Sequence, residues 1–446
     1  MKIKNKFGTV LTLALFLPLS ALAGNCWKEN LVTKHWTATW ATANRTVTAF
    51  DAPLDTINNA TLRQIVRTSE AGEMLRVSFT NEFGTTPLMI KETHVALRRA
   101  GSSIVKSSSN QLTFSGAKSI SIQPGARVVS DAIDMNVPHH SEVVISTYLP
   151  EDITGSGSPV TYHVRALQTN YLAAGNQAAA VDLDSAATST AWHFLTSVDV
   201  ANCWAIPVIA TLGDSITDGD QMAAPNEPID TNARYPDLLS EAILAGGKTA
   251  GVINLGISGN QVLSSFLGEN PAARLARDVL TQAGVTHLIY LEGINDIGLP
   301  VLLSALGIAT PVNSAEAIIK GHKQIISAAK AAGLLVIGGT LTPSGSSALP
   351  GYIDAIAESK RQTINAWIRD GGAYDIVIDF DAALADPKNP AAMSADLTAD
   401  GLHPNAAGYQ VMADTAFAKI GGILPTKKYE GKYPRQSNNR GRTTKQ

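Results

Sequence analysis

The stretch Pro207-Val208-Ile209-Ala210-Thr211-Leu212-Gly213-Asp214-Ser215-Ile216-Thr217-Asp218-Gly219 is an apolar, partly β-branched run that stops abruptly at Gly-Asp-Ser. Such a run reads as a buried strand, and its polar end places a hydroxyl at the carboxyl edge of an α/β sheet, where open sheets hold ligands. Ser215 is therefore the candidate nucleophile. A serine alcohol is weakly nucleophilic until a base takes its proton, so the reading requires a histidine, an acid to orient it and donors for a developing oxyanion. Downstream, Asp400-Gly401-Leu402-His403-Pro404 sets a carboxylate three residues before an imidazole, close enough for Asp400 to accept from Nδ1 while Nε2 faces Ser215. Gly256-Ile257-Ser258-Gly259-Asn260 and Gly293-Ile294-Asn295-Asp296 follow two further strand-like runs and can offer N–H donors to the same pocket.

Around these segments, strand and helix patterns alternate. Strands are expected at Pro207 to Leu212, Gly251 to Leu255, His287 to Leu291, Leu334 to Leu341 and Ile376 to Phe380. Helices are expected at Tyr235 to Ala245, Ala272 to Ala283, Ser314 to Ala332, Tyr352 to Arg369 and Asn405 to Ala418. This order predicts an α/β fold: a parallel five-stranded sheet between two layers of helices, with right-handed crossovers bringing every strand's carboxyl end to one edge.

The four segments, in this order, resemble the blocks of the SGNH/GDSL hydrolase superfamily, over about residues 205 to 420. The resemblance implies a flavodoxin-like αβα domain. It implies catalytic Ser215, Asp400 and His403, and an oxyanion hole made by the Ser215 and Gly259 N–H groups and the Asn295 side-chain amide. It also implies hydrolysis of carboxylic esters without metal or organic cofactor. Ile294 stands where many members carry a small residue.

Competing motifs fall away. Gly246-Gly247-Lys248-Thr249 resembles a phosphate loop, but Ala242 occupies the first glycine position and a helix precedes it. The Gly-x-Ser-x-Gly elbow of α/β-hydrolases does not occur. Asp214 and Asp218 read as turn residues, Asp379 and Asp381 as caps, and Asn260 and Asp296 as braces beside the oxyanion donors.

From Gly24 to Asp199, short alternating runs such as Leu62 to Arg67, Met74 to Phe79 and Glu142 to Tyr148 are punctuated by Gly and Pro. They predict a β-sandwich of jelly-roll type with no long helix. Trp36, Trp40, Tyr162, Tyr171 and Trp192 are either a sugar-stacking platform or core packing, and scattered aromatics favour packing. His35, His94, His139, His140, His163 and His193 share no metal spacing and read as structural or exposed. Ala178 to Ala191 reads as a surface segment.

The chain of 446 residues, with 45% hydrophobic and 16% charged residues, has ample core for two domains. A net charge of −3 gives no reason to expect nucleic acid as a partner. Lys2, Lys4 and Lys6, the apolar run Val10 to Leu19 and Ala21-Leu22-Ala23 form a secretory signal cut after Ala23, too short to remain as a membrane span. Export to the periplasm or beyond would favour pairing of the two cysteines, Cys26 and Cys203. The expected organisation is a signal peptide (1–23), an accessory β-sandwich (24–200), a hydrolase domain (201–425) and a basic disordered tail (426–446). The substrate expected is a small-molecule or polysaccharide ester, with acetyl or short acyl groups on carbohydrates favoured. A short-chain esterase or lipase of broad range is next. A carbohydrate-binding or adhesion protein without turnover is the reading from a different class.

Overall fold

The computed structural model describes residues 34–51, 54–221, 228–305, 307–308 and 311–427. The signal peptide, Cys26 and most of the basic tail lie outside the described residues. The C-terminal half is built on a parallel five-stranded sheet in the order Gly251–Gly256, Val208–Gly213, Val285–Leu291, Leu335–Gly339, Ile376–Ile378. Its register sets Gly213 opposite both Gly256 and Leu291. Three strands therefore end level, and the chain segments that follow them emerge at one edge. Ile209, Leu212, Leu255, Leu288, Ile289, Ile337 and Ile378 are buried against the surrounding helices. This is the continuous apolar character that a sheet covered on both faces demands.

Three of the long helices start where short polar side chains can take orphan N–H groups. Ser314 caps Ala315–Ala331, Asp354 caps Ala355–Asp370, and Asn405 caps Ala406–Ile420. The helix expected at Ala272 to Ala283 is instead a short α-turn, Pro271–Arg274, that widens into a π-helix, Leu275–Leu280. The widening follows Arg274, whose buried guanidinium is anchored on Leu255 O, Gly213 O and the Asn260 side chain. A helix at Ile294–Ala305 had no counterpart in the sequence pattern, because Gly298 and Pro300 read as breakers and the run lacks a polar face. Pro300 cannot donate to Asp296 O, and the Asn313 side chain does so instead at 3.3 Å. Among the described residues, no helix is long and apolar enough to cross a membrane.

The N-terminal region is antiparallel. One sheet runs His35–Ala41, Leu195–Asn202, Gly72–Thr80, Ile133–Val137, and a second runs Ala187–Ser189, Asn170–Ala174, Asn58–Arg67, Glu142–Asp152, Glu92–Ala100, Ser103–Ile104. Leu62, Val66, Leu75, Val77, Phe79, Val143, Ile145, Val198 and Val200 fill the core they share. Trp40 and Trp192 meet edge to face at 4.9 Å in that core, and Tyr162 is buried too, so these three aromatics are packing. The segment 178–191 is not simply surface: Ala178 and Ala191 are buried, and Ala187–Ser189 pairs as an edge strand.

The last sandwich strand ends at Asn202 and the first strand of the parallel sheet begins at Val208. Cys203, between them, is disulfide-bonded, while Cys26 lies outside the described residues. The two halves meet at the outer strands of their sheets. The outer strand Gly251–Gly256 receives Ser69, whose Oγ accepts from Val252 N at 3.0 Å, and Ala38 N donates to Ala283 O at 2.8 Å. Thr426 and Lys427, the start of the expected tail, are ordered against the turn at Gly247 and Lys248.

Candidate active site

Ser215 opens a one-turn helix, Ser215–Asp218, directly after the strand Val208–Gly213. Asp214 caps that turn by accepting from Ile216 N at 3.0 Å, which leaves Ser215 N at the helix start, pointing out of the turn. Ser215 Oγ lies 2.9 Å from His403 Nε2, although the two residues are 188 positions apart in the chain. His403 Nδ1 lies 2.7 Å from Asp400 Oδ2. Asp400 also gathers its own loop, with Oδ1 accepting from Leu402 N at 2.9 Å and His403 N at 2.7 Å. Burial pushes the Asp400 carboxyl up, but its bonds to His403 and Leu402 outweigh this and hold it below the ordinary carboxylate range. Gly401 makes the loop possible: its φ is +75°, and a Cβ there would sit 2.0 Å from Ser346 O.

Gly259 has φ +79°, so its N–H is presented by a left-handed turn that a side chain would strain. Asn295, in the first turn of Ile294–Ala305, donates from Nδ2 to Asn260 O at 3.0 Å and accepts from Tyr352 OH at 2.7 Å. These two contacts fix the amide plane and leave the second Nδ2 hydrogen for the site. Asn260 is itself gripped by Arg274, and Asp296 accepts from Val262 N at 2.7 Å and Leu263 N at 2.9 Å. The structure thus brings together Ser215, His403 and Asp400 in direct contact, with the segments carrying Gly259 and Asn295 tied to each other. Tyr352 and Arg274 escape a sequence reading, since neither belongs to a motif. Asp218, read as a turn residue, is a buried hub between three segments.

Beneath the site sits a cluster of buried carboxyls. Burial, with Asp296 nearby, pushes Asp214 up to about 7 against the pull of Ile216 N–H and His403. Burial likewise pushes Asp296 up to about 6. Glu292, between strand and Gly293, is fully buried, and neither of its carboxyl oxygens has a hydrogen-bond partner among the described residues. Burial and the neighbouring Asp214 push its carboxyl far above the usual range, and Arg274 opposes them only in part. The folded protein then keeps a proton that the unfolded chain releases above about pH 4 to 5, so this group's contribution to stability falls as pH rises. Glu292→Gln removes that dependence. Relative to wild type, the variant should gain on the order of 1 kcal/mol per pH unit from about pH 5 upward. Denaturant midpoints of both proteins at pH 5 and pH 8 measure it; a difference that does not change with pH would show Glu292 ionised in the fold.

The sheet order defines a flavodoxin-like αβα domain, with the Ser-His-Asp contact at its carboxyl edge. Residues 211–411 match the model of the GDSL-like Lipase/Acylhydrolase family. No curated protein matches the chain. Among solved structures, a GDSL-like lipase from Bacteroides thetaiotaomicron is 19% identical, with 48% of this chain and 88% of that one covered at a TM-score of 0.36. The aryl esterase of M. smegmatis is 17% identical, with 49% and 100% covered at a TM-score of 0.39. An acetyl xylan esterase, AlAXEase, is 21% identical, with 48% and 98% covered at a TM-score of 0.35.

Proposed function

We propose that the chain is an exported serine esterase that cleaves carboxylic esters through an acyl-serine intermediate, acting on acetyl or short acyl groups carried by carbohydrates. The observation that carries the ester chemistry is the Ser215 Oγ to His403 Nε2 contact of 2.9 Å, backed by Asp400 on the far side of the ring. Ser215 Oγ attacks the ester carbonyl as His403 Nε2 takes its proton. The tetrahedral oxyanion is met by Ser215 N–H, Gly259 N–H and the Asn295 amide. Collapse breaks the bond to the alcohol oxygen, which leaves with the proton from His403. Water then attacks the acyl-serine by the same route and releases the acid and the free serine. Asp400 holds the ring in the tautomer that presents a bare Nε2 to the serine.

Support for the carbohydrate part is of a different kind. The expected signal peptide would place the enzyme among extracellular polymers. Phe50 of the N-terminal region is 54% exposed and lies 5.4 Å from Phe266, in the loop after Gly259 whose Leu267 packs over that glycine. An exposed aromatic ring therefore lies near the oxyanion segment, on a residue other than the tryptophans and tyrosines that first suggested a platform. The test is release of acetate from acetylated xylan, pectin and mannan, set against fatty-acid release from longer esters. Acetate release should dominate. Faster fatty-acid release would favour a broad esterase or lipase, and no turnover of any ester would favour a binding protein.

A further inference from the structure

His163 belongs to the N-terminal region, on the two-residue strand Tyr162–His163 paired with Trp192–His193. Its ring is buried and has an acceptor on each side: Nδ1 lies 2.9 Å from Ala43 O, and Nε2 lies 3.0 Å from Asp218 Oδ1. Asp218 closes the helical turn that Ser215 opens, and its other oxygen accepts from Ser258 N and Ser258 Oγ, both at 3.2 Å. Ser258 is the residue before Gly259. A second tie runs alongside, in which Arg165 donates to Asp220 Oδ1 at 2.8 Å while Asp220 N donates to Ser215 O at 2.9 Å. Burial alone would raise the Asp218 carboxyl, but His163, with Arg234 and Arg165 behind it, holds it below the ordinary range. An ionised Asp218 is what the His163 ring on one oxygen and the Ser258 N–H and hydroxyl on the other require.

We infer that His163 is a positioning residue for the oxyanion hole: it holds Asp218, Asp218 holds Ser258, and the turn that presents Gly259 N–H is thereby set relative to Ser215. The N-terminal region is then part of the catalytic apparatus and not an appended module. No substrate contact by His163 is involved. A donor displaced by about 1 Å from a developing oxyanion can lose on the order of 10²-fold in rate, so a brace two contacts away has leverage. This inference rests on the esterase reading.

The test uses the full chain and p-nitrophenyl acetate. His163→Ala should lower kcat by about 10- to 100-fold with KM little changed, and should slow phosphonate labelling of Ser215 in parallel. His163→Gln, whose amide still donates to Asp218, should recover part of the loss. A purely structural role would lower the melting temperature without that recovery or that split. Asp218→Asn keeps an oxygen for His163 but loses the second acceptor for Ser258, so it should lose kcat comparably and decides the matter if His163→Ala does not fold. Wild-type kcat in folded His163→Ala or Asp218→Asn, beside an inactive Ser215→Ala, overturns this inference alone. Full turnover by Ser215→Ala overturns the esterase reading and this inference with it.

Discussion

Ser215→Ala should reduce turnover of p-nitrophenyl acetate on the order of 10⁶-fold, as in other serine triads, leaving only the small residual rate that the oxyanion donors support. The size follows from the geometry. Ser215 Oγ is the group in contact with His403 Nε2, so without it no covalent intermediate forms and the base has nothing to activate except water. The fold should be unaffected, because the caps and braces of this loop run through Asp214, Asp218 and the Ser215 backbone, all of which alanine keeps. Equal melting temperatures and a mass shift with fluorophosphonate in wild type only would complete the result. Turnover near wild type in the variant would remove Ser215 as nucleophile.

Asn295→Ala should cut kcat by about 10²- to 10³-fold, the usual effect of one lost oxyanion donor. Stability should drop as well, by roughly 1 to 3 kcal/mol, because the buried Tyr352 hydroxyl and Asn260 carbonyl each lose a partner. The two effects separate by magnitude. A domain of ordinary stability, about 5 to 15 kcal/mol, stays folded after such a loss, so the fall in kcat reports on the transition state and not on the folded fraction. Tyr352→Phe divides the contributions further, since it leaves the amide present but held by Asn260 O alone. Unchanged kcat in folded Asn295→Ala would exclude the amide from the oxyanion hole.

The strand endings were legible because the chemistry and the fold use the same signal. Gly213-Asp214-Ser215, Gly256 to Asn260 and Gly293 to Asp296 all interrupt apolar runs with residues that strands reject, and in a parallel sheet those interruptions converge. Asp400 and His403 were legible from their three-residue spacing once it was read together with the three preceding segments. The helix Ile294–Ala305 was not, since Pro300 argues against a helix until Asn313 is seen taking over the carbonyl it leaves. His163 and Tyr352 were illegible for a related reason. Each acts across a contact between segments 55 and 57 residues apart, and a histidine or tyrosine in an otherwise unremarkable run carries no mark of what it will face. Buried Glu292 was hidden in the same way, because a carboxylate after a strand ordinarily reads as solvent-facing.

The parallel sheet ends on Gly251–Gly256, and the side of that strand away from its neighbour is occupied by Ser69 and the stretch around Ala38. Left bare, such a margin is a template for any passing extended chain, its own copies included. The sandwich thus shields as well as braces: a fragment cut at the linker 203–207 would present an open seam where the intact molecule has none, and its natural fate is self-association. Shortening this chain to its C-terminal half would remove its protection against clumping.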